Sequence, residues 1–217
     1  MSSIKKIIKI LKQETKDFSP TLIEQIIKKY GKNPFLILIC CLLSLRSKDI
    51  VTINVCHTLL KIAKTPQEIL SLSQDELEKI IFKIGFHKNK AEVLHQVSHG
   101  ILNRYNGKVP ANRESLLKLP GVGQKTANLV LGVAYRVPSI CVDIHVHRIS
   151  NRLGLVGTKN PEETETTLKK IVPQNYWIEF NELLVKWGQN ICTPTSPWCS
   201  KCAIKKFCKR IGVEKSR

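Results

Sequence analysis

A short turn rich in proline and glycine, set between two helix-like runs, is the feature of this sequence that most limits its fold. The turn reads Leu119-Pro120-Gly121-Val122-Gly123, and residues 126–135 after it favour a helix. Proline and glycine end the helix-like run before them. Glycines in such a turn adopt backbone angles closed to other residues and remove side-chain bulk, so N–H groups at the next helix start can meet an anion. The sequence therefore predicts a helix, a tight hairpin and a second helix, with room for a phosphate.

Two side chains close to this turn carry reactive groups. Lys125 falls in the first turn of the second helix, and Asp143 follows 18 residues later. A neutral amine can act as a nucleophile, and a carboxylate can stabilise a developing positive charge. The residues themselves leave a simpler interpretation open for each. Lys125 would then only touch phosphate, and Asp143 would only cap the helix after it.

The eight cysteines form two groups. Four lie among apolar residues and are most simply buried free thiols that help packing: Cys40, Cys41, Cys56 and Cys141. The other four crowd into 17 residues with the spacing Cys-x6-Cys-x2-Cys-x5-Cys: Cys192, Cys199, Cys202 and Cys208. In a reducing compartment such a cluster indicates metal binding rather than disulfides. Four thiolates can hold either zinc or a [4Fe-4S] cluster, and chemistry alone leaves both open.

The charge balance favours a polyanionic partner. The 35 Lys and Arg residues exceed the 17 Asp and Glu residues, which gives a formal charge of +18. Nucleic acid is the partner that such a surplus favours, against a merely solvated basic surface. Lysines interrupt the apolar N-terminal run, and no segment approaches the roughly 20 apolar residues of a membrane span. We therefore expect a cytoplasmic protein with no membrane partner.

Helical periodicity and helix caps predict an all-α fold without internal repeats. Thr65-x-x-Glu68 and Ser73-x-x-Glu76 are capping boxes that each open a short helix. A loop is expected at residues 85–90. The other predicted helices are 4–15, 22–30, 35–45 (apolar enough to be central), 50–63, 91–105, 112–118, 143–153, one starting at 160, and 176–190.

The hairpin, the segment Val142-Asp143-Ile144-His145 and the cysteine spacing together resemble the helix-hairpin-helix DNA glycosylase superfamily, and within it the endonuclease III family most closely. The resemblance covers about residues 20–210. It implies a two-domain fold in which a six-helix bundle, residues 27–137, contains the helix-hairpin-helix at about 113–135. Residues 1–26 and 138–217 would form a helical iron-sulfur domain with its cluster loop at 192–208. DNA would bind across the cleft between the domains.

The resemblance also implies an activity. The chain would be a monomeric base-excision repair enzyme that removes oxidised or ring-saturated pyrimidines from double-stranded DNA and nicks the abasic site by β-elimination. Lys125 would attack the sugar and form a Schiff base, Asp143 would assist it, and the four clustered cysteines would hold a [4Fe-4S] cluster. One rival is a monofunctional adenine or mismatch-thymine glycosylase, which typically lacks the lysine. Another is a non-catalytic binding module, which needs neither Asp143 nor the cysteines.

The same resemblance implies a set of DNA contacts. Arg46 and Phe86 would fill the gap left by a flipped nucleotide, where the family commonly has glutamine and leucine. An exposed salt-bridging arginine and a core phenylalanine are the alternatives. The first cysteine loop, residues 193–198, lacks the basic residues often found there. The remaining contacts would come from Leu119, Gly121, Val122, Gly123, Gln124, Thr126, His145, Lys201 and Lys205.

Overall fold

The computed structural model describes residues 3–217. Within that range the chain forms twelve α-helices, two short 3-10 turns and no strand, which confirms the all-α prediction. None of the helices in this part of the chain is long and apolar enough to cross a membrane. The helices are α1 Ser3–Glu14, α2 Leu22–Tyr30, α3 Pro34–Ser44, α4 Asp49–Ile62, α5 Pro66–Ser71, α6 Gln74–Ile81, α7 His87–Tyr105, α8 Arg113–Leu117, α9 Gln124–Tyr135, α10 Ile144–Leu153, α11 Pro161–Ile171 and α12 Trp177–Asn190.

The chain divides into two compact units, each with a hydrophobic core of its own. The first, here called the bundle unit, is Pro20–Arg136 and contains α2 to α9. The second, here called the cysteine unit, joins the described residues before Pro20 to Val137–Arg217 and contains α1 and α10 to α12. A domain start at residue 27 would cut α2, whereas the bundle unit keeps that helix whole.

The bundle unit is built around α3. Every residue from Phe35 to Leu43 is buried, and α3 packs against α2, α4, α7 and α9. A helix that is apolar on all sides has no face to offer to water, so it is stable only when other helices surround it. Three buried thiols, Cys40, Cys41 and Cys56, belong to this core, and Cys141 is buried in the cysteine unit, as the sequence predicted.

Local capping chemistry sets most helix starts. Thr65 Oγ1 accepts a bond from Glu68 N (3.2 Å), and the Glu68 carboxylate accepts one from Thr65 N (3.0 Å). The predicted boxes at Thr65 and Ser73 are both present, and Thr21 forms a third. The loop predicted for residues 85–90 is partly wrong. Phe86 has a left-handed backbone (φ 61°) that turns the chain directly into α7 at His87, with no capping side chain to announce it.

The cysteine unit is built from amphipathic helices. The buried face of α1 consists of Ile4, Ile7, Ile8 and Leu11, and α1 packs against α12. Lys12 at the other face makes an ion pair with Glu179 at 2.7 Å. Helix α12 also packs against α10, so Asp143 at the start of α10 is attached to the centre of this unit.

Candidate active site

The hairpin between α8 and α9 is anchored by its apolar residues. Leu119 and Val122 are 3% and 6% exposed, and Val122 N donates to Leu119 O at 3.1 Å. Gly121 has φ 72°, and a Cβ at this position would lie only 2.7 Å from Val93 Cγ1. Glycine at 121 is therefore required by both the backbone angle and the space available.

The second hairpin glycine has a different role. Gly123 is the N-cap of α9 with φ −91°, which any residue can adopt. A Cβ at Gly123 would meet no protein atom within 4 Å. The protein therefore does not need glycine here for its own packing. Because Gly123 has no side chain, there is room for an anion beside the first N–H groups of α9.

Lys125 lies exposed in the first turn of α9, next to this space. Its charge also acts on Cys41, a buried residue of α3. Burial raises the pKa of the Cys41 thiol to about 12, and Lys125 acts in the opposite direction. Cys41 is thus a neutral, buried thiol at physiological pH.

Asp143 is the N-cap of α10, as the sequence predicted. Its Oδ1 accepts bonds from the N–H groups of His145 and Val146, both at 2.9 Å. Two bonds to one oxygen fix the orientation of the half-buried carboxylate. A capping role does not exclude a chemical one, because a carboxylate held in place is also preorganised to stabilise positive charge.

The first turns of α10 are tied to α12 and to the cysteine loop. Arg148 Nη2 lies 3.1 Å from His145 Nδ1 and donates to Cys192 O at 2.9 Å. A Cβ at Gly188 of α12 would overlap His145 Nδ1. His145 is therefore held between two helices, and His147 Nδ1 bonds to Thr164 Oγ1 at 2.7 Å.

The four clustered cysteines line one cavity of the cysteine unit, and all four are free thiols. N–H groups point at two of the sulfurs: Arg152 Nη1 lies 3.5 Å from Cys192 Sγ, and Arg210 N lies 3.4 Å from Cys208 Sγ. Burial raises the pKa of the Cys202 thiol to about 11, so a thiolate there needs a cation beside it.

The chemistry of this donor set suits a metal–sulfur group, because four soft thiols line one cavity and N–H donors face two of the sulfurs. Within residues 3–217, however, no three His, Cys, Asp or Glu side chains lie close enough together to bind one metal ion.

Basic side chains surround the cysteine loop. Lys201 and Lys205 are exposed, and Lys201 Nζ lies 4.6 Å from the centre of the Trp198 ring. The Arg217 guanidinium lies 4.0 Å from the same ring, and Arg217 Nε donates to Ser196 O at 3.0 Å. The first cysteine loop, residues 193–198, contains no basic residue, but the fold brings the Arg217 guanidinium next to it. Sequence analysis missed it because the two positions are 21 residues apart.

The structure brings Arg46 and Phe86 together. Phe86 is 64% exposed, so the alternative of a core phenylalanine is wrong. The Arg46 guanidinium lies 5.9 Å from the centre of the Phe86 ring. Both residues have left-handed backbone angles, φ 54° and φ 61°.

Sequence analysis also missed Lys90, a buried residue in the first turns of α7. Its Nζ donates to Leu43 O (2.8 Å), Leu45 O (2.7 Å) and Ser47 Oγ (2.9 Å). The spacing of the residues could have indicated that Lys90 is buried, because Lys90 precedes the buried Leu94 by one helical turn and lies on the same face of α7.

Comparison with known proteins identifies the family of this chain. The family model described as HhH-GPD superfamily base excision DNA repair protein matches residues 39–174, which include the hairpin, Lys125 and Asp143. The fold and this match define a helix-hairpin-helix protein of base-excision DNA repair. Endonuclease III of Thermotoga maritima is 42% identical over 193 residues, which cover 87% of this chain and 91% of the relative. The chain belongs to the endonuclease III family, whose members are DNA glycosylases and abasic-site lyases.

Solved structures of an endonuclease III and of a thymine-DNA glycosylase superpose on this chain. A trapped endonuclease III–DNA covalent intermediate superposes with a TM-score of 0.80 at 33% identity, covering 97% of each chain. A thermostable thymine-DNA glycosylase superposes with a TM-score of 0.74 at 27% identity, covering 94% of this chain and 97% of the other.

Proposed function

We propose that this chain removes oxidised or ring-saturated pyrimidines from double-stranded DNA and then nicks the abasic site by β-elimination. The observation that carries the proposal is the exposed Lys125 amine in the first turn of α9, directly after the glycine hairpin. A related endonuclease III has been trapped as a covalent intermediate with DNA. A lysine is the side chain that gives such an intermediate as a Schiff base.

In the proposed reaction, Lys125 Nζ attacks C1′ of the damaged nucleotide. The bond between C1′ and the base nitrogen breaks, and the base leaves with its electron pair and takes up a proton. Opening of the sugar ring gives an iminium between Nζ and C1′. The iminium then accepts the electron pair of the C2′–H bond as that proton leaves, and the resulting enamine returns the pair to expel the phosphate from C3′. Asp143 stabilises the positive charge at C1′ and accepts a proton from the attacking amine.

The proposed DNA surface combines backbone and side-chain contacts. Leu119, Val122 and Thr126 have buried side chains, so they contribute main-chain groups at the hairpin beside Gly121 and Gly123. Phosphate contacts elsewhere would come from exposed or half-buried polar side chains: Gln124, His145, Lys201, Lys205 and Arg217. We propose that the protein works on DNA as a monomer in the cytoplasm.

We further propose that Cys192, Cys199, Cys202 and Cys208 hold a [4Fe-4S] cluster, which is typical of the family. Such a cluster would fold the loop of residues 192–208 into a rigid support for its lysines. Iron and acid-labile sulfide measured in the purified protein test the proposal. Zinc in their place would overturn it.

The activity is tested by borohydride trapping on a duplex with one abasic site. Borohydride reduces a Schiff base to a stable amine, so wild-type protein should give a covalent protein–DNA band. Lys125→Gln should give none, because an amide is not a nucleophile toward C1′. Lys79→Gln, which removes one exposed lysine of α6, is the matched control and should keep the band.

The outcome also separates this proposal from its rivals. The similarity to a thymine-DNA glycosylase supports one rival, a monofunctional enzyme. Such an enzyme would release a base but give no trapped band. A binding module would retain DNA and do neither. The absence of a band from folded, DNA-binding wild-type protein would therefore contradict the lyase reaction.

A further inference from the structure

Lys90 is a buried cation that the proposed chemistry does not use. It is 8% exposed, and each of the three donors of its ammonium group has an acceptor. Burial lowers the pKa of Lys90 to about 8, so the group is still mostly charged at neutral pH. Because all its donors are taken by the protein, Lys90 acts on the fold around it and not on a ligand.

The acceptors show which part of the fold Lys90 controls. Leu43 O and Leu45 O lie at the C-terminal end of α3, and Ser47 lies in the connection between α3 and α4. Carbonyl groups at a helix C-terminus lack partners within the helix and carry the negative end of its dipole. The last turn of α3 contains no basic residue of its own. Lys90 supplies that cation from α7 and so shapes the connection that carries Arg46.

Lys90 also belongs to the segment that carries Phe86. Its backbone N–H donates to Phe86 O at 2.9 Å, which is the first helical bond of α7. The neighbouring Gly85 lies beside Arg46, since a Cβ there would be 3.7 Å from Arg46 O. Lys90 therefore bonds to two loops. Its Nζ bonds to the connection between α3 and α4, here called the Arg46 loop, and its backbone N–H bonds to the connection between α6 and α7, here called the Phe86 loop.

The two loops also need support. Arg46 and Phe86 both have positive φ, a conformation that is unfavourable for a non-glycine residue. Such conformations persist only where the surroundings hold them. The hydrogen bonds of the Lys90 side chain stabilise the backbone on both sides of Arg46, and the Lys90 backbone N–H bonds to Phe86 O.

We propose that Lys90 is a positioning residue that locks the Arg46 loop and the Phe86 loop into one rigid element, which enters the duplex as the damaged nucleotide leaves it. The inference rests on the proposed function. Extruding a nucleotide from a paired duplex requires something to replace it in the stack. An abasic site that is already unpaired has little need of this element. Loss of Lys90 should therefore affect paired substrates selectively.

The test compares Lys90→Met with Lys88→Met, an exposed lysine in the same turn of α7 that controls for the lost charge. One substrate is a duplex with a single ring-saturated pyrimidine, and the other is an abasic site inside an unpaired bubble. Lys90→Met should lower kcat/KM on the paired substrate roughly ten- to a hundredfold, as misplaced groups do. Trapping on the bubble should change less than about threefold, and Lys88→Met should alter neither substantially. Equal losses on both substrates, or no loss on the paired substrate, would overturn the inference.

A second readout does not depend on activity. Hydrogen exchange of the amides at residues 44–50 should become faster in Lys90→Met, while exchange in the centre of α3 stays slow. Unchanged exchange at 44–50 would show that Lys90 does not hold this loop. If wild-type protein acts on neither substrate, the proposed function fails, and the exchange experiment still decides whether Lys90 locks the two loops.

Discussion

Asp143 caps α10, and the proposed chemistry gives it a second role that most substitutions would remove together with the cap. Its Oδ1 caps α10 through two N–H bonds, and its negative charge is the part that the proposed chemistry needs. Asparagine separates the two roles, because its side-chain oxygen caps a helix as well as that of aspartate but carries no charge.

Asp143→Asn should therefore unfold with a free energy within about 0.5 kcal/mol of wild type, while base release slows roughly a hundredfold or more. Asp143→Ala loses the cap as well and should cost about 1 kcal/mol of stability. Urea unfolding and single-turnover base release measure the two effects. A fast Asn variant would show that Asp143 is only a cap.

The two glycines of the hairpin between α8 and α9 serve different purposes, so substituting each of them by alanine should have different effects. Gly121→Ala should destabilise the bundle unit by roughly 1–3 kcal/mol, since φ is 72° and the new methyl group meets Val93. Gly123→Ala should leave stability unchanged and weaken DNA binding, because its methyl group would enter only the space beside α9. Urea unfolding and titration with abasic duplex check the pair. A destabilised Gly123→Ala, or one that binds DNA normally, would contradict this assignment.

Local chemistry explains which elements could be predicted from sequence. The capping boxes at Thr65 and Ser73, the Asp143 cap and the hairpin all depend on residues within a few positions of one another. The structural roles of Lys90 and Arg217 could not be predicted, because their hydrogen-bond partners lie more than 20 positions away in the sequence. The start of α7 could not be predicted, because the N-cap Phe86 has a left-handed backbone and makes no side-chain cap bond that the sequence would indicate. The roles of the site residues remain predictions.

At the scale of the whole molecule, the two units should respond differently to loss of the metal group proposed for the four clustered cysteines. Cys192, Cys202 and Cys208 pack against the hydrophobic core of the cysteine unit. The bundle unit has a separate core that contains none of these three cysteines. Metal binding contributes directly to folding when the ligands belong to the core they stabilise.

Removing the metal group with a chelator and an oxidant should therefore loosen the cysteine unit first. In limited proteolysis followed by mass spectrometry, early cuts should fall within residues 192–217, and the helices of the bundle unit should stay protected. Reconstitution with iron and sulfide should restore protection, which serves as the control. Simultaneous cleavage of both units would contradict their independence.

The thiols buried in the bundle unit have a consequence for where such a protein can work. A hydrogen bond with Cys56, together with burial, raises the pKa of the Cys40 thiol well above its usual range, and burial does the same for Cys41. Peroxide and alkylating agents react with thiolates that they can reach. Cys40 and Cys41 offer neither access nor charge. Oxidants that damage pyrimidines in DNA should therefore leave this core chemically intact.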